Sequence, residues 1–276
     1  MNLYRASPKD GVAWITGASS GIGRALALKL AQEGYTVAAT ARTLSKLESL
    51  RDEASGLQGH IVLFPGDATD AGAMEEMVSV IGRQCGPIAL AVFCAGTYAP
   101  MPGEALKASR FTETWNINVN GVLNGLIPVV EAMKKTGRGQ IAIVSSVAGY
   151  CGLPQASAYA LTKAGLIAMA QALKFDFDRM NIRLQIVNPG FVDTPLTQKN
   201  DYAMPGMITV EAAAGQFAQG LRTGGFEITF PRWFAFVMKG LSILPYWLYF
   251  PLIARQTGWS RREKLVFKDR ATAPGE

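Results

Sequence analysis

Apolar residues are distributed along the chain in two alternating patterns. Short, almost uninterrupted β-branched and apolar runs occupy positions 12–16, 36–40, 61–64, 88–93, 141–145 and 182–187. Their lack of polar alternation predicts strands buried on both faces, as in a parallel sheet covered by helices on each side. Between these runs, residues 22–33, 44–54, 71–82, 111–135 and 156–180 carry apolar positions at helical spacing. A further helical pattern at 210–221 precedes a last strand at 226–230. This alternation predicts an α/β fold: one doubly wound parallel sheet of about seven strands, with right-handed crossovers and helices on both faces. No linker, repeat or low-complexity segment divides it, so residues 1–230 are expected to form one domain and residues 231–276 a C-terminal extension.

The 276 residues are 49% hydrophobic and 17% charged, enough to bury roughly three quarters of the unfolded surface. The polar N-terminal stretch lacks the apolar segment of a signal peptide. Cys85, Cys94 and Cys151 have neither metal-ligand spacing nor an even count. Both features suit a reducing cytoplasm, and no metal site is expected. The single histidine, His60, leaves no Ser-His-Asp triad unless it serves in one, and its simplest role is to open a strand. Nine Lys/Arg against four Asp/Glu from residue 222 onward hold five of the six net positive charges. The remainder is nearly neutral, which argues against a nucleic-acid-binding surface.

The extension departs from the strand–helix pattern. Residues 233–253 are aromatic and apolar, and 255–270 are basic. Lys239, Pro245 and Pro251 interrupt the apolar stretch, which falls short of the ~20 residues of a spanning helix. Two readings stand. The stretch lies in a membrane interface, giving peripheral contact through residues 233–270, with Trp and Tyr at headgroup depth. Alternatively it is an arm packed over the substrate site or a partner subunit.

Candidate chemistry begins with Thr16-Gly17-Ala18-Ser19-Ser20-Gly21-Ile22-Gly23, which follows a strand and opens a helix. In a phosphate-binding turn Gly17 permits the tight turn, Gly21 the approach of pyrophosphate, and Gly23 close helix–strand packing. The helix N-terminus then offers Ser19, Ser20, Gly21, Ile22 and Gly23 to an anion. The next strand ends in Ala41 and Arg42, with no carboxylate for a ribose hydroxyl. Arg42 can grip a 2′-phosphate with its fork, so NADP(H) is favoured over NAD(H). Arg24 could assist, or serve only as a solvated helix residue. Tyr159 and Lys163, four residues apart on a helix, share a face. An ammonium beside a phenol stabilises phenolate, which equips Tyr159 to exchange a proton near neutral pH.

T-G-x-x-x-G-x-G together with Y-x-x-x-K resembles the short-chain dehydrogenase/reductase family, across about residues 10–230. The resemblance implies a single-domain Rossmann-type fold and a catalytic set of Asn118, Ser146, Tyr159 and Lys163. Ser146 would polarise a carbonyl, Tyr159 protonate its oxygen, and Lys163 hold the nicotinamide ribose and lower the Tyr159 pKa. Asn118 would hold a water linking Lys163 to solvent. It further implies that Asp67 meets adenine, that Ala95 and Gly96 border the cofactor, and that Pro189, Gly190 and Thr194 lie near the nicotinamide. One departure is visible: the usual N-N-A-G is here Phe93-Cys94-Ala95-Gly96, which weakens a structural hydrogen bond at the sheet edge but removes no catalytic group.

Taken singly, these residues have plainer roles: Asn118 as a bracing amide, Asp67 as a helix cap, Cys94 and Cys151 as small core residues. Substrate contact is expected from the loops at 149–155 and 191–208, where Tyr150, Leu153, Tyr202, Met204 and Met207 are apolar or aromatic. These loops, with no Arg cluster among them, point to a lipophilic ketone: a 3-keto lipid, keto-sphingoid base or steroid-like molecule. Helices 111–135 and 156–180 are apolar on more than one face, which suits a homodimer or homotetramer or else coverage of the sheet. Oxidation of a lipid alcohol, and a silent nucleotide-binding protein docking through its tail, are the alternatives to ketone reduction.

Overall fold

The computed structural model describes residues 3–199 and 204–262. Seven strands form one parallel sheet: β1 (Val12–Thr16), β2 (Thr36–Ala41), β3 (His60–Pro65), β4 (Ile88–Phe93), β5 (Gly139–Val144), β6 (Ile182–Pro189) and β7 (Glu227–Phe230). Their order is β3-β2-β1-β4-β5-β6-β7. The connecting helices are α1 (Gly21–Gln32), α2 (Leu44–Glu53), α3 (Ala71–Cys85), α4 (Ala108–Trp115), α5 (Gly121–Thr136), α6 (Ser157–Arg179) and α7 (Val210–Thr223). This is the doubly wound Rossmann-type arrangement expected from the strand–helix alternation.

The unbroken apolar strands have the predicted consequence. In β1, Ala13 and Ile15 face a core shared with Leu26, Leu30, Leu47 and Phe217 from α1, α2 and α7. Val12 and Trp14 face the opposite core, built with Met74, Leu126, Val129 and Leu166 from α3, α5 and α6. Alternate residues thus feed two separate helix layers, and a polar side chain on either face would need a buried partner. Trp14 has one: its indole N–H donates to Thr40 Oγ1 at 2.9 Å.

Two departures matter for function. The helix expected over 111–135 is broken, because residues Asn116–Asn120 form a wider π-helical turn between α4 and α5. The turn carries Asn118 into the interior, where its amide makes three hydrogen bonds. Distortions of this kind are frequent at functional sites. The extension forms two further helices, α8 (Arg232–Ser242) and α9 (Tyr246–Gln256). Phe234, Ala235 and Met238 of α8 pack on Val147, Leu153 and Phe191, beside the carboxyl ends of β5 and β6. No helix among the described residues is long and apolar enough to cross a membrane.

Candidate active site

At the switch between β1 and β4 the chain leaves a crevice beyond the strand ends. The Thr16 hydroxyl accepts the amides of Cys94 and Ala95 at 3.2 and 3.3 Å, tying these two tips together. A threonine hydroxyl therefore anchors the turn that lacks the usual asparagines. Gly17 adopts φ +71°, and a β-carbon there would lie 2.7 Å from the Ala95 backbone. At Gly23 it would meet the Gly17 carbonyl oxygen at 2.4 Å, so a larger residue at either position would force the loop open. Ser20 is the N-cap of α1 but its side chain makes no capping bond. The first helical amides keep their donors for a ligand, and the helix dipole adds positive potential.

These features end in one cleft of about 390 Å³. Ser19, Ser20, Gly21, Ile22 and Gly23 line it with Gly17; Arg42 and Asp67 form the neighbouring wall, and Ala95 and Gly96 border the β4 tip. Pro189, Gly190 and Thr194 close the far side, next to Ser146, Tyr159 and Lys163. Of the four residues expected to be catalytic, Asn118 alone does not line the cleft.

Arg42 is exposed and adjoins Asp67. Asp67 accepts the amide and hydroxyl of Thr69, each at 2.9 Å. Its pKa lies below the ordinary value mainly through the Thr69 amide, against a burial penalty, with the Thr69 hydroxyl and Arg42 adding to the lowering. Asp67 does not cap α3; Asp70 does, accepting the Ala73 amide at 3.0 Å. Arg24 is committed elsewhere, to Glu53 at 2.6 Å and Ser49 at 3.3 Å. It takes no part in lining the cleft.

At the other end, Tyr159 and Lys163 project from the same face of α6, with the ammonium 5.5 Å from the centre of the phenol ring. Tyr159 lies in the first turn of α6, where the positive end of the helix favours phenolate. Lys163 is only 4% exposed and donates to the Val144 carbonyl at 2.9 Å. Burial draws its pKa down to about 8. Burial likewise raises Cys94 to about 11, leaving a neutral thiol. Ser145 donates to the Lys163 carbonyl at 2.7 Å and pins β5 to α6. Ser146 Oγ accepts the Ala148 amide at 3.1 Å, which leaves its own hydrogen to donate into the cleft.

Asn118 is fully buried. Its oxygen accepts the Thr97 amide at 2.7 Å, while its nitrogen donates to the Thr97 carbonyl and Thr162 Oγ1, both at 3.0 Å. The side chain therefore braces the segment after β4 against α6. Its oxygen and Lys163 Nζ both border Gly96: a methyl group there would meet them at 3.4 and 3.6 Å.

A smaller chamber of about 70 Å³ adjoins Ser146 and Tyr159, walled by Tyr98, Leu153, Phe191 and Leu196. Tyr98 stands edge-on to Tyr159, ring centres 5.1 Å apart. Lys199 reaches over from the loop after β6 to donate to the Tyr98 carbonyl at 2.9 Å. The sequence pattern did not single out Tyr98, Leu196, Thr197 or Lys199, because their meeting depends on segments about a hundred positions apart. Of the expected substrate residues, Leu153 lines the chamber, whereas Tyr150 turns away to donate to Glu227 at 2.5 Å. Met204 and Met207 lie outside both cavities, and Tyr202 lies outside the described residues.

A dinucleotide crevice merging with a tyrosine–lysine pair defines a nucleotide-dependent oxidoreductase, and comparison with known proteins agrees. Residues 11–204 match the family model described as short chain dehydrogenase. The chain is 34% identical to an uncharacterized oxidoreductase of Myxococcus xanthus over 233 residues, covering 84% of this chain and 92% of that one. It is 39% identical over 192 residues to a 3-oxoacyl-(acyl-carrier-protein) reductase of Thermotoga maritima, covering 68% and 76%. A solved alcohol dehydrogenase from Thermococcus sibiricus, complexed with 5-hydroxy-NADP, superposes with a TM-score of 0.72 at 26% identity, covering 79% of this chain and 95% of the other. The chain belongs to the short-chain dehydrogenase/reductase family and is an oxidoreductase acting on alcohol or ketone groups.

Proposed function

We propose that the protein is an NADPH-dependent ketoreductase acting on a lipophilic carbonyl compound, with a 3-keto lipid, keto-sphingoid base or steroid-like ketone as the substrate class. The observation that carries this reading is the single cleft shared by the glycine loop, Arg42 and the Tyr159–Lys163 face of α6. Free amides at the start of α1 and the cationic Arg42 at the end of β2 fit a phosphorylated dinucleotide. When bound, a reduced nicotinamide dinucleotide supplies hydride. Pro189, Gly190 and Thr194 would border the nicotinamide, Lys163 its ribose, and Ala95, Gly96 and Asp67 the remainder.

The residues of the chain supply the proton and the geometry. Ser146 donates a hydrogen bond to the substrate carbonyl oxygen and so polarises the carbon. As the carbon gains its hydride, Tyr159 transfers the phenol proton to the oxygen, and the product leaves as an alcohol. The Lys163 ammonium and the α6 N-terminus stabilise the phenolate left behind. Asn118 would hold the water through which that phenolate is reprotonated.

Apolar walls at Leu153, Phe191 and Leu196 support a lipophilic substrate. The Thermotoga relative is named for a 3-oxoacyl substrate. The same reading has the enzyme in the cytoplasm as a homodimer or homotetramer, with peripheral membrane contact through residues 233–270. It is tested by NADPH consumption across 3-keto lipids of increasing chain length, ketosteroids and small ketones. Turnover should rise with chain length or polycyclic bulk. Equal rates for short and long ketones would remove the lipid assignment, and an absolute preference for NADH would remove the cofactor assignment.

A further inference from the structure

The extension breaks the usual rule for apolar side chains. Of sixteen large hydrophobic residues exposed among the described residues, nine lie between positions 233 and 252. On α8 one face is buried through Phe234, Ala235 and Met238, while Trp233 and Phe236 point outward at 53% and 70% exposure. On α9 only Tyr249 and Ile253 are buried. Tyr246, Trp247 and Phe250 are 62–74% exposed, and Ile243, between the helices, is 83% exposed. A helix apolar around most of its circumference normally lies in an apolar environment. A contiguous exposed patch of this kind marks an interaction surface.

Charge identifies the occupant. From residue 232 to 262 the sequence carries Arg232, Lys239, Arg255, Arg261 and Arg262 and no Asp or Glu. Lys239 is already paired with Glu227. A second copy of the chain meeting this face across a two-fold axis would still bring Arg232, Arg255, Arg261 and Arg262 of each face together with no carboxylate between positions 232 and 262 to offset them, which is unfavourable. An anionic bilayer meets both requirements: aromatic side chains enter the headgroup region while Arg and Lys remain among anionic headgroups.

The position of the face relates it to the substrate. The inner side of α8 rests on Val147, Leu153 and Phe191, which also wall the small chamber beside Ser146 and Tyr159. Phe191 and Phe234 have ring centres 5.4 Å apart. Tyr249 of α9 donates to the Gly152 carbonyl in the same loop. The exposed aromatic face and the chamber are thus opposite sides of one thin wall.

We propose that the outer faces of α8 and α9 dock on an anionic lipid surface, so that the chamber receives a ketone dissolved in the bilayer. This sharpens the peripheral contact already included in the proposed function, assigning it to named faces on observations of their own; the delivery of substrate rests on the ketoreductase reading. The test uses the full chain and a variant, Phe236→Ser/Ile243→Ser/Trp247→Ser, none of whose positions lines the cleft or chamber. Each is sedimented with phosphatidylcholine vesicles with and without phosphatidylglycerol. Turnover of a small water-soluble ketone and the mass in solution are measured in parallel, with matching circular dichroism showing that the variant folds. The wild type should bind the phosphatidylglycerol vesicles, less so at high salt, and the variant at least tenfold more weakly, with equal turnover of the small ketone. A second variant, Arg255→Glu/Arg261→Glu, should lose the preference for phosphatidylglycerol. Failure of the wild type to bind, or equal binding by wild type and the serine variant, overturns the proposal. A fall in molecular mass in the serine variant without vesicle binding would instead assign the face to a second copy. Vesicle binding with no turnover of any ketone would uphold the docking surface and reject the ketoreductase reading.

Discussion

The Tyr159 end of the cleft and the outer face of α8 and α9 depart from ordinary protein surface in opposite ways. Around Tyr159, polar groups are placed inside: Asn118 is fully buried and Lys163 nearly so. On the extension, apolar groups are placed outside, with Trp247 at 73% exposure. The first departure is stabilised from within, because each Asn118 polar atom has a partner and Lys163 has the Val144 carbonyl. The second has no comparable cover among the described residues, and this is what motivates the proposed lipid contact. The contrast separates the proposed site of chemistry, where buried polarity shifts proton affinities, from the face proposed for contact.

The largest effect should come from Lys163→Met, which leaves the shape of the cleft while removing its buried charge. Turnover should fall roughly 10²–10⁴-fold, the usual scale of a lost acid–base contribution. A linked effect on stability has a definite sign. With its pKa at about 8 when folded against 10.5 ordinarily, Lys163 binds more protons in the unfolded chain between those values. The stability of the cofactor-free wild type should therefore rise with pH across that window, as the penalty of a buried ammonium is relieved. In urea denaturation at several pH values the methionine variant should lack that contribution. By the same titration, kcat/KM for NADPH should fall as pH rises through about 8, since the free enzyme then loses the ammonium.

Ser146→Ala should cost about 10²- to 10³-fold in kcat, with a smaller change in KM, if its hydroxyl acts mainly on the developing oxyanion. Arg42→Ala should raise the KM for NADPH about tenfold or more and leave that for NADH nearly unchanged, reflecting loss of charge-assisted bonds to a phosphate. An equal rise for both cofactors would make Arg42 a general rather than a phosphate-selective contact.

The smallest effect is expected at the seam between the two regions. Glu227 on β7 accepts Tyr150 at 2.5 Å and Asn188 at 2.7 Å and pairs with Lys239 of α8. Burial works to raise its pKa, but hydrogen bonds from Lys239, Tyr150 and Asn188 hold it below the ordinary value. Lys239→Gln should lower stability by about 1 kcal/mol or less in denaturant titration, since the lysine is half exposed.

These features differ in how far the sequence disclosed them. The strands were legible because burial on both faces leaves an uninterrupted apolar run, and the glycine loop because its requirements fall within eight adjacent residues. Tyr159 and Lys163 were legible through helical periodicity. The break at Asn116–Asn120 was not: α4 and α5 read as one helix, and only the bonds from Asn118 to Thr97 and Thr162 explain the widened turn. The Tyr98 wall, the Lys199 contact and the Glu227 seam join distant segments and leave no local pattern. In the extension, composition identified the aromatic character, but only the fold distinguishes the aromatic residues packed beside the chamber from those facing outward.

The proposed reaction turns on Tyr159 delivering a proton in the same cleft that holds the reduced dinucleotide. It is tested most directly by a single-turnover measurement of NADPH oxidation with a saturating long-chain 3-keto substrate, comparing wild type and Tyr159→Phe, with the NADPH Kd measured for both. Both proteins should have equal Kd values, and a rapid NADPH oxidation phase in the wild type should be lost in the phenylalanine variant. An oxidation phase of equal rate in Tyr159→Phe would contradict it.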